Sequence, residues 1–417
     1  MGDESRQELA EREEELRAAR DEDDDGPRDE GGGADLEELA AEALEDETED
    51  FEERGAAFLR DRRRIAGLVA AVVLLVVAIY VVLPKVVGLN DVLGRLSDAT
   101  WYWVVIAAAF NALSFGAYSV LFRGVLGGRD DDLVHERLDL RTSFHITMAG
   151  FVATTLFSAG GAGGIALTYW ALRKAGMSRR RAACRMVAFL VLLYSVYLLA
   201  LLVFGVLLRT GVLHGDNPAG GTIVPAAVGG VALLLLVAVS FVPEDVQRGI
   251  RKLETRGTRI ARLASGLAKM TATLASGIRT AAVHLRHPRR SALTLAGALG
   301  WWAGNIGILW GSFHAFGVNV PFGVIVMGFF VGMVANLAPS PAAGVGTVDA
   351  GLIGAFVLFG IDADTVFPAI LTFRLVGFWL PIPVGVWSFV RLRRIVRRWE
   401  AETPPATIKS KVTAEAT

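Results

Sequence analysis

Six apolar runs of about 20 residues limit what this chain can fold into. A helix of that length, at ~1.5 Å per residue, matches the ~30 Å hydrocarbon core of a bilayer. The runs are Ile65–Leu83, a stretch from Trp101 to about Leu126, Met186–Leu208, Thr222–Val242, Ser291–Phe316 and Phe367–Val390. With 53% hydrophobic residues over 417 positions and a mean hydropathy of +0.45, the chain reads as an integral membrane protein. In lipid every backbone polar group needs an internal partner. Spans must therefore be helical, and irregular backbone survives only where protein or a polar cavity surrounds it.

Two stretches interrupt apolar sequence. Between Val320 and Phe359 stands Asn336-Leu-Ala-Pro-Ser-Pro-Ala-Ala-Gly-Val-Gly-Thr-Val-Asp349, with two prolines, two glycines and a carboxylate. Between Ser143 and Leu172 stands Ser158-Ala-Gly-Gly-Ala-Gly-Gly164. Each break predicts two short helical arms, about 15 and 12 residues in the first case. Arms of that length are short for full spans at ~1.5 Å per residue, which favours re-entrant hairpins over pairs of short spans. At an offset of 182 residues Ser158 matches Ser340 and Gly164 matches Gly346. After a two-residue shift, Ala175-Gly-Met177 resembles Phe359-Gly-Ile361.

Charge orders these segments. The net charge of −1 hides an asymmetry: residues 1–60 hold 25 acidic and 7 basic side chains, and the remainder is strongly basic. Residues 1–58 are predicted to be a disordered acidic tail, and residues 399–417 a second disordered tail. Clusters of arginine and lysine at 60–64, 173–185 and 391–398 place both termini, and both ends of the first hairpin, in the cytoplasm. The second hairpin then starts and ends outside. The expected fold is an all-α polytopic membrane protein of the plasma membrane, with about six full spans and two re-entrant helical hairpins forming an inverted repeat. Secondary transporters use that architecture to build a site open alternately to each side. Residues 244–290, with 11 basic and three acidic side chains, read either as a basic amphipathic helix on anionic headgroups or as a charged connector. Topology already accounts for this positive charge, so nucleic acid is not an expected partner. A protein partner of the acidic tail is not identifiable. Cys184 is the single cysteine, which excludes an intramolecular disulfide.

The candidate binding residues cluster at the breaks. Ionisable side chains within a span default to functional candidates. Arg374, about eight residues into the last span, has Asp349 as its most plausible charge partner, as a structural ion pair or as part of a phosphate site. Asn336, Ser340, Gly344 and Gly346 stand at the second break, Ser158, Gly161 and Gly164 at the first, and Arg185 at the cytoplasmic start of its span. Helix N-termini at Gly164 and Gly346 would offer partial positive charge to a phosphate. Asn111 and Asn305 are suited to interhelical hydrogen bonds. His145 and His314 lack metal-ligand spacing, Ser158 and Ser340 lack nucleophile partners, and no cofactor motif is present.

The order of spans, the first glycine-rich segment followed by Leu172 and Gly176, and above all Pro339 to Asp349 with Gly360 and Arg374-Leu375 downstream carry a family likeness. Over about residues 62 to 398 the chain resembles the flippase-like transmembrane region of the lysylphosphatidylglycerol synthase family. In that family the second motif reads proline, a small pair, glycine, any residue, glycine, then glutamate. Here Ala342 and Ala343 stand for the usual glycines and Asp349 for the glutamate, while Ile165 and Ala166 occupy the place of an acidic residue in the first motif. The resemblance implies a flippase-like domain over 59–398 that moves a lipid with a charged or glycosylated headgroup between leaflets. It implies membrane lipids as partners, anionic phospholipid or polyprenyl-linked lipid. About 25 residues follow the last span, so a stand-alone member without the aminoacyltransferase domain is expected. Two other readings stand beside it. One is a membrane-embedded transferase or accessory of polyprenyl-linked glycolipid synthesis, weakened by the lack of clustered acids; the other is a non-transporting scaffold recruiting a partner through its acidic tail.

Overall fold

The structure, a computed structural model, describes residues 99–127, 132–156, 162–240, 288–337, 344 and 346–402. The acidic tail 1–58, the run Ile65–Leu83, the basic segment up to residue 287, Ser158, Gly161 and Ser340 lie outside the described residues.

The described chain is all-α, and it is a polytopic membrane protein. In order it forms α1 (Trp101–Leu126), α2 (Asp132–Arg137), α3 (Leu140–Leu156), α4 (Ala162–Lys174), α5 (Arg179–Arg209), α6 (Ala219–Ser240), α7 (Pro288–Ala315), α8 (Phe322–Met333) continued by a 3₁₀ turn (Val334–Leu337), α9 (Thr347–Leu358), α10 (Ala363–Arg374), a π turn (Leu375–Trp379) and α11 (Pro381–Glu402). Among the described residues five helices are long and apolar enough to cross a membrane: Trp101–Leu126, Arg181–Arg209, Ala219–Ala238, Ala292–Ala315 and the 40-residue rod Ala363–Glu402. The boundary expected at residue 398 falls inside that rod. Trp399 is buried and Glu400 pairs with Lys174 at 2.8 Å, so α11 is held to its end against the C-terminus of α4.

Lipid removes the hydrophobic drive between helices, so close backbone approach has to supply the packing. In α7, Gly297, Gly300, Gly304, Gly307 and Gly311 recur at alternating steps of three and four and line one face against α1. A Cβ on Gly297 would lie 2.7 Å from the Leu121 nitrogen, and one on Gly304 would lie 2.5 Å from Ser114 Cβ. The pair runs antiparallel, with the Thr100 amide bonded to Ala315 O at 2.8 Å. Asn305 donates across it to Ser114 Oγ at 3.2 Å. The glycine stripe has a plain sequence signature, its 3–4 spacing, that the apolar-run reading passes over.

The two hairpins, α3–α4 and α8–α9, close by the same device. Gly150 and Gly332 lie at the offset of 182. A Cβ on Gly164 would meet Gly150 O at 2.8 Å, and one on Gly332 would meet Leu352 Cα at 2.6 Å. The second arms end alike as well. Gly176 (φ 103°) and Gly360 (φ 78°) are left-handed C-caps, with Met177 N bonded to Leu172 O and Ile361 N to Phe356 O, each at 3.1 Å. In both places the following turn returns to extended backbone, at Ser178 and Asp362, and starts a long helix. The halves exchange partners: α5 packs on α8, and the rod packs on α3.

The ends of the molecule differ in charge. Arg123, Arg141, Arg173, Lys174, Arg179, Arg181, Arg391, Arg394, Arg397 and Arg398 sit where α1 and α4 end, α3 and α5 begin and the rod finishes. The opposite end carries Arg209, Asp216, Asp362 and Asp364.

Candidate functional site at the second helix break

The site begins with two residues that only glycine suits. Gly344 and Gly346 adopt φ of 88° and 89°, the left-handed region that costs an L side chain ~1–2 kcal/mol. A Cβ on Gly344 would also stand 2.6 Å from Val348 Cγ2. This backbone turns the Gly344 carbonyl toward the rod and leaves Gly346 as the N-cap of α9.

Asp349, at the third position of α9, occupies the site from which an acidic side chain reaches back to an N-cap amide. Its Oδ2 accepts from Gly346 N at 3.0 Å. Its Oδ1 accepts from Arg374 Nε. Arg374 Nη2 donates to Gly344 O at 2.9 Å, and the guanidinium carbon lies 5.3 Å from the centre of the Phe378 ring. Both charged side chains are buried. Arg374 is eleven residues, about 16 Å of helix, from Ala363, well inside the apolar rod. An arginine at that depth needs partners with excellent geometry. Here a carboxylate, a carbonyl and an aromatic face supply them.

The rod is deformed immediately after Arg374. Pro381 and Pro383 have no amide hydrogen, so carbonyls one turn earlier lose their usual donors. Leu380 N bonds Leu375 O at 2.9 Å, the wider π pattern, and Asn111 of α1 donates to the orphaned Val376 O at 2.8 Å. Described residues of both hairpins touch this turn or the residue just before it. From the first, Phe151 packs edge-on against Phe378 with centroids 5.8 Å apart; from the second comes the Arg374 linkage.

The structure thus brings together Arg374, Asp349, Gly344 and Gly346. Asn336 lies beside them, exposed, with its Oδ1 3.2 Å from where a Gly344 Cβ would be. Two expected residues have other surroundings. Gly164 is not a helix start, since α4 begins at Ala162; it lies in the first turn and lets α4 approach Gly150. Arg185 is remote from the pair: it is buried at the basic end and donates to Leu126 O at 3.0 Å, satisfying a carbonyl in the last turn of α1. The lone histidines have helix partners, His145 with Ser388 at 3.3 Å and His314 with Trp310 O at 2.9 Å. Sequence reasoning missed the Gly344 carbonyl, Phe378 and the π turn. The Pro381-Ile-Pro383 pattern inside an apolar span was the signal available for the last of these.

No curated protein matches the sequence. The family described as the lysylphosphatidylglycerol synthase TM region matches residues 65–385, which include every element of the site and both hairpins. The chain belongs to the lysylphosphatidylglycerol synthase transmembrane-region family.

Proposed function

We propose that this protein is a lipid flippase in the plasma membrane, passing a lipid with a charged or glycosylated headgroup between leaflets. The observation that carries the reading is the buried Arg374–Asp349 pair, which ties the start of α9 at the second helix break to the rod. Re-entrant hairpins of opposite direction form an inverted repeat, and a site at the junction of such repeats lies near mid-membrane. Membrane lipids are the partners, and the basic end faces the cytoplasm.

The pair suits a phosphate-bearing headgroup. A guanidinium binds carboxylate and phosphate through the same fork, so a lipid phosphate and Asp349 compete for Arg374. The Gly344 and Gly346 segment at the start of α9 adds the partial positive charge of a helix N-terminus. In sequence Asn336 and Ser340 border the same break, and Ser158, Gly161 and Gly164 border the corresponding break of the first hairpin.

Reconstituting the full chain in proteoliposomes with a headgroup-labelled phosphatidylglycerol, and quenching the outer leaflet chemically, tests the reading. Arg374→Ala and Asp349→Ala should each slow translocation by about tenfold or more. Unchanged rates in both variants, with the protein monodisperse and helical, would remove this site from the mechanism.

A further inference from the structure

The rod is longer than a membrane is thick. Its 40 residues extend for about 60 Å, against ~40–45 Å for a bilayer with its headgroups. The end that projects is Arg391–Glu402, because twelve residues holding five arginines and two glutamates do not enter hydrocarbon. Its two sides differ. Leu392, Val396 and Trp399 are buried on one of them. There Arg137 lies 5.6 Å from the centre of the Trp399 ring, Glu402 pairs with Arg137 at 4.0 Å and Glu400 with Lys174 at 2.8 Å. Both carboxylates of this end are thus taken by α2 and α4. On the other side Arg391, Arg394, Arg397 and Arg398 are exposed and occupy about a third of the helix circumference. Among the described residues none of the four has a carboxylate partner; Arg391 lies over the Trp387 ring at 5.7 Å.

Four arginines on a fixed helix face call for an anionic occupant. Lipid phosphate suits Arg391, because Trp387 marks the interface where the rod leaves the bilayer. It does not suit the rest of the face. Arg397 and Arg398 stand about 15 Å of helix beyond Trp387, whereas a headgroup layer is only about 5–8 Å deep. The chain itself carries a segment of opposite charge. Asp35–Glu53 holds eleven acidic side chains and no basic one. On a helix Glu42, Glu45 and Glu49 share a face at steps of three and four, the spacing of Arg391, Arg394 and Arg398. Ile65, where the first apolar run begins, is twelve residues after Glu53, a tether of up to about 40 Å. Residues 244–287, the other long stretch outside the described residues, are themselves basic.

We infer that Asp35–Glu53 docks on the exposed arginine face of its own chain between Arg391 and Arg398, and becomes helical as it binds. Its acids repel one another until the arginines neutralise them. The inference needs the tail and this end of the rod on one side of the membrane, as the proposed topology has them, and does not depend on lipid movement.

The experiment uses the full chain in phosphatidylcholine nanodiscs with p-benzoylphenylalanine in place of Thr48, which leaves every acid intact, and photo-adducts are mapped by mass spectrometry. Adducts are expected within residues 387–402 of the same chain. Raising the salt to ~1 M, where the Debye length falls to ~3 Å, should reduce them by about tenfold. Arg394→Glu combined with Arg398→Glu should reduce them by about as much, and adding Glu45→Arg and Glu49→Arg should restore them. Both arginines are exposed, so the charge-reversed protein should keep its helicity and stay monodisperse. Missing adducts, adducts on 244–287, adducts in covalent dimers, or adducts undiminished by the charge reversal overturn the inference. So does their loss when phosphatidylglycerol replaces phosphatidylcholine, which would assign the face to lipid headgroups. In a Cys184→Ala background, cysteines placed singly at Thr48 and Ala401 should be labelled by an impermeant maleimide from the same side. Labelling from opposite sides refutes the topology and the docking with it, whereas same-side labelling with missing adducts refutes the docking alone.

Discussion

Asp349 divides its two carboxylate oxygens between two donors, the Gly346 amide that opens α9 and the Arg374 guanidinium on the rod. One side chain therefore caps a helix and neutralises a buried cation. Asp349→Asn separates the two tasks: an amide oxygen still caps α9, but Arg374 is left buried without a counter-charge. Removing one partner of a buried pair costs about 3–5 kcal/mol, so the thermal midpoint of the purified protein should fall clearly. Asp349→Glu should cost much less, because glutamate at the third helical position serves the same cap. Equal losses in the two variants would argue that the cap, not the charge, is what matters. The pairing was legible because an isolated arginine and an isolated carboxylate inside apolar sequence leave few other partners. The Gly344 carbonyl was not legible, since its direction follows from two left-handed residues in series.

At the scale of elements, the rod owes its π turn to two prolines and a rescue from another helix. Asn111 supplies from α1 the donor that Pro381 lacks, across 265 residues of sequence. Asn111→Leu should therefore destabilise the protein by about 0.6–2 kcal/mol, the range for interhelical hydrogen bonds in membranes. The cost should shrink in a Pro381→Ala background, where the restored amide can reach a carbonyl of the preceding turn. A double-mutant cycle measured by unfolding in mixed micelles gives the coupling, and an additive result would contradict this account of the turn. Sequence placed Asn111 as a helix-bonding residue but could not say to what. Its target exists only after the rod has been distorted.

At the scale of the molecule, matching glycines, matching C-caps and exchanged helix packing relate the two halves. The charged pair belongs to one half alone: no arginine occurs on α5 between Arg185 and Arg209. The orientation expected from charge has a direct check. In a Cys184→Ala background, a membrane-impermeant maleimide should label a cysteine placed at Asp362 on intact cells, and one placed at Arg394 only after permeabilisation. Both residues are exposed at opposite ends of the rod, so labelling of both from one side would refute the proposed topology.

The sequence by itself determined the all-α membrane class, the positions of both breaks and the charged end of each helix. These depend on the transfer of single side chains into lipid and on the backbone limits of proline and glycine, which are local. Tertiary structure alone decided that α1 and α7 join through a glycine stripe, that Arg185 closes a helix end, and that Arg374 shares its donors between a carboxylate and a carbonyl. In lipid those choices are made by close packing and by the search of each buried polar group for a partner, and both depend on residues hundreds of positions away.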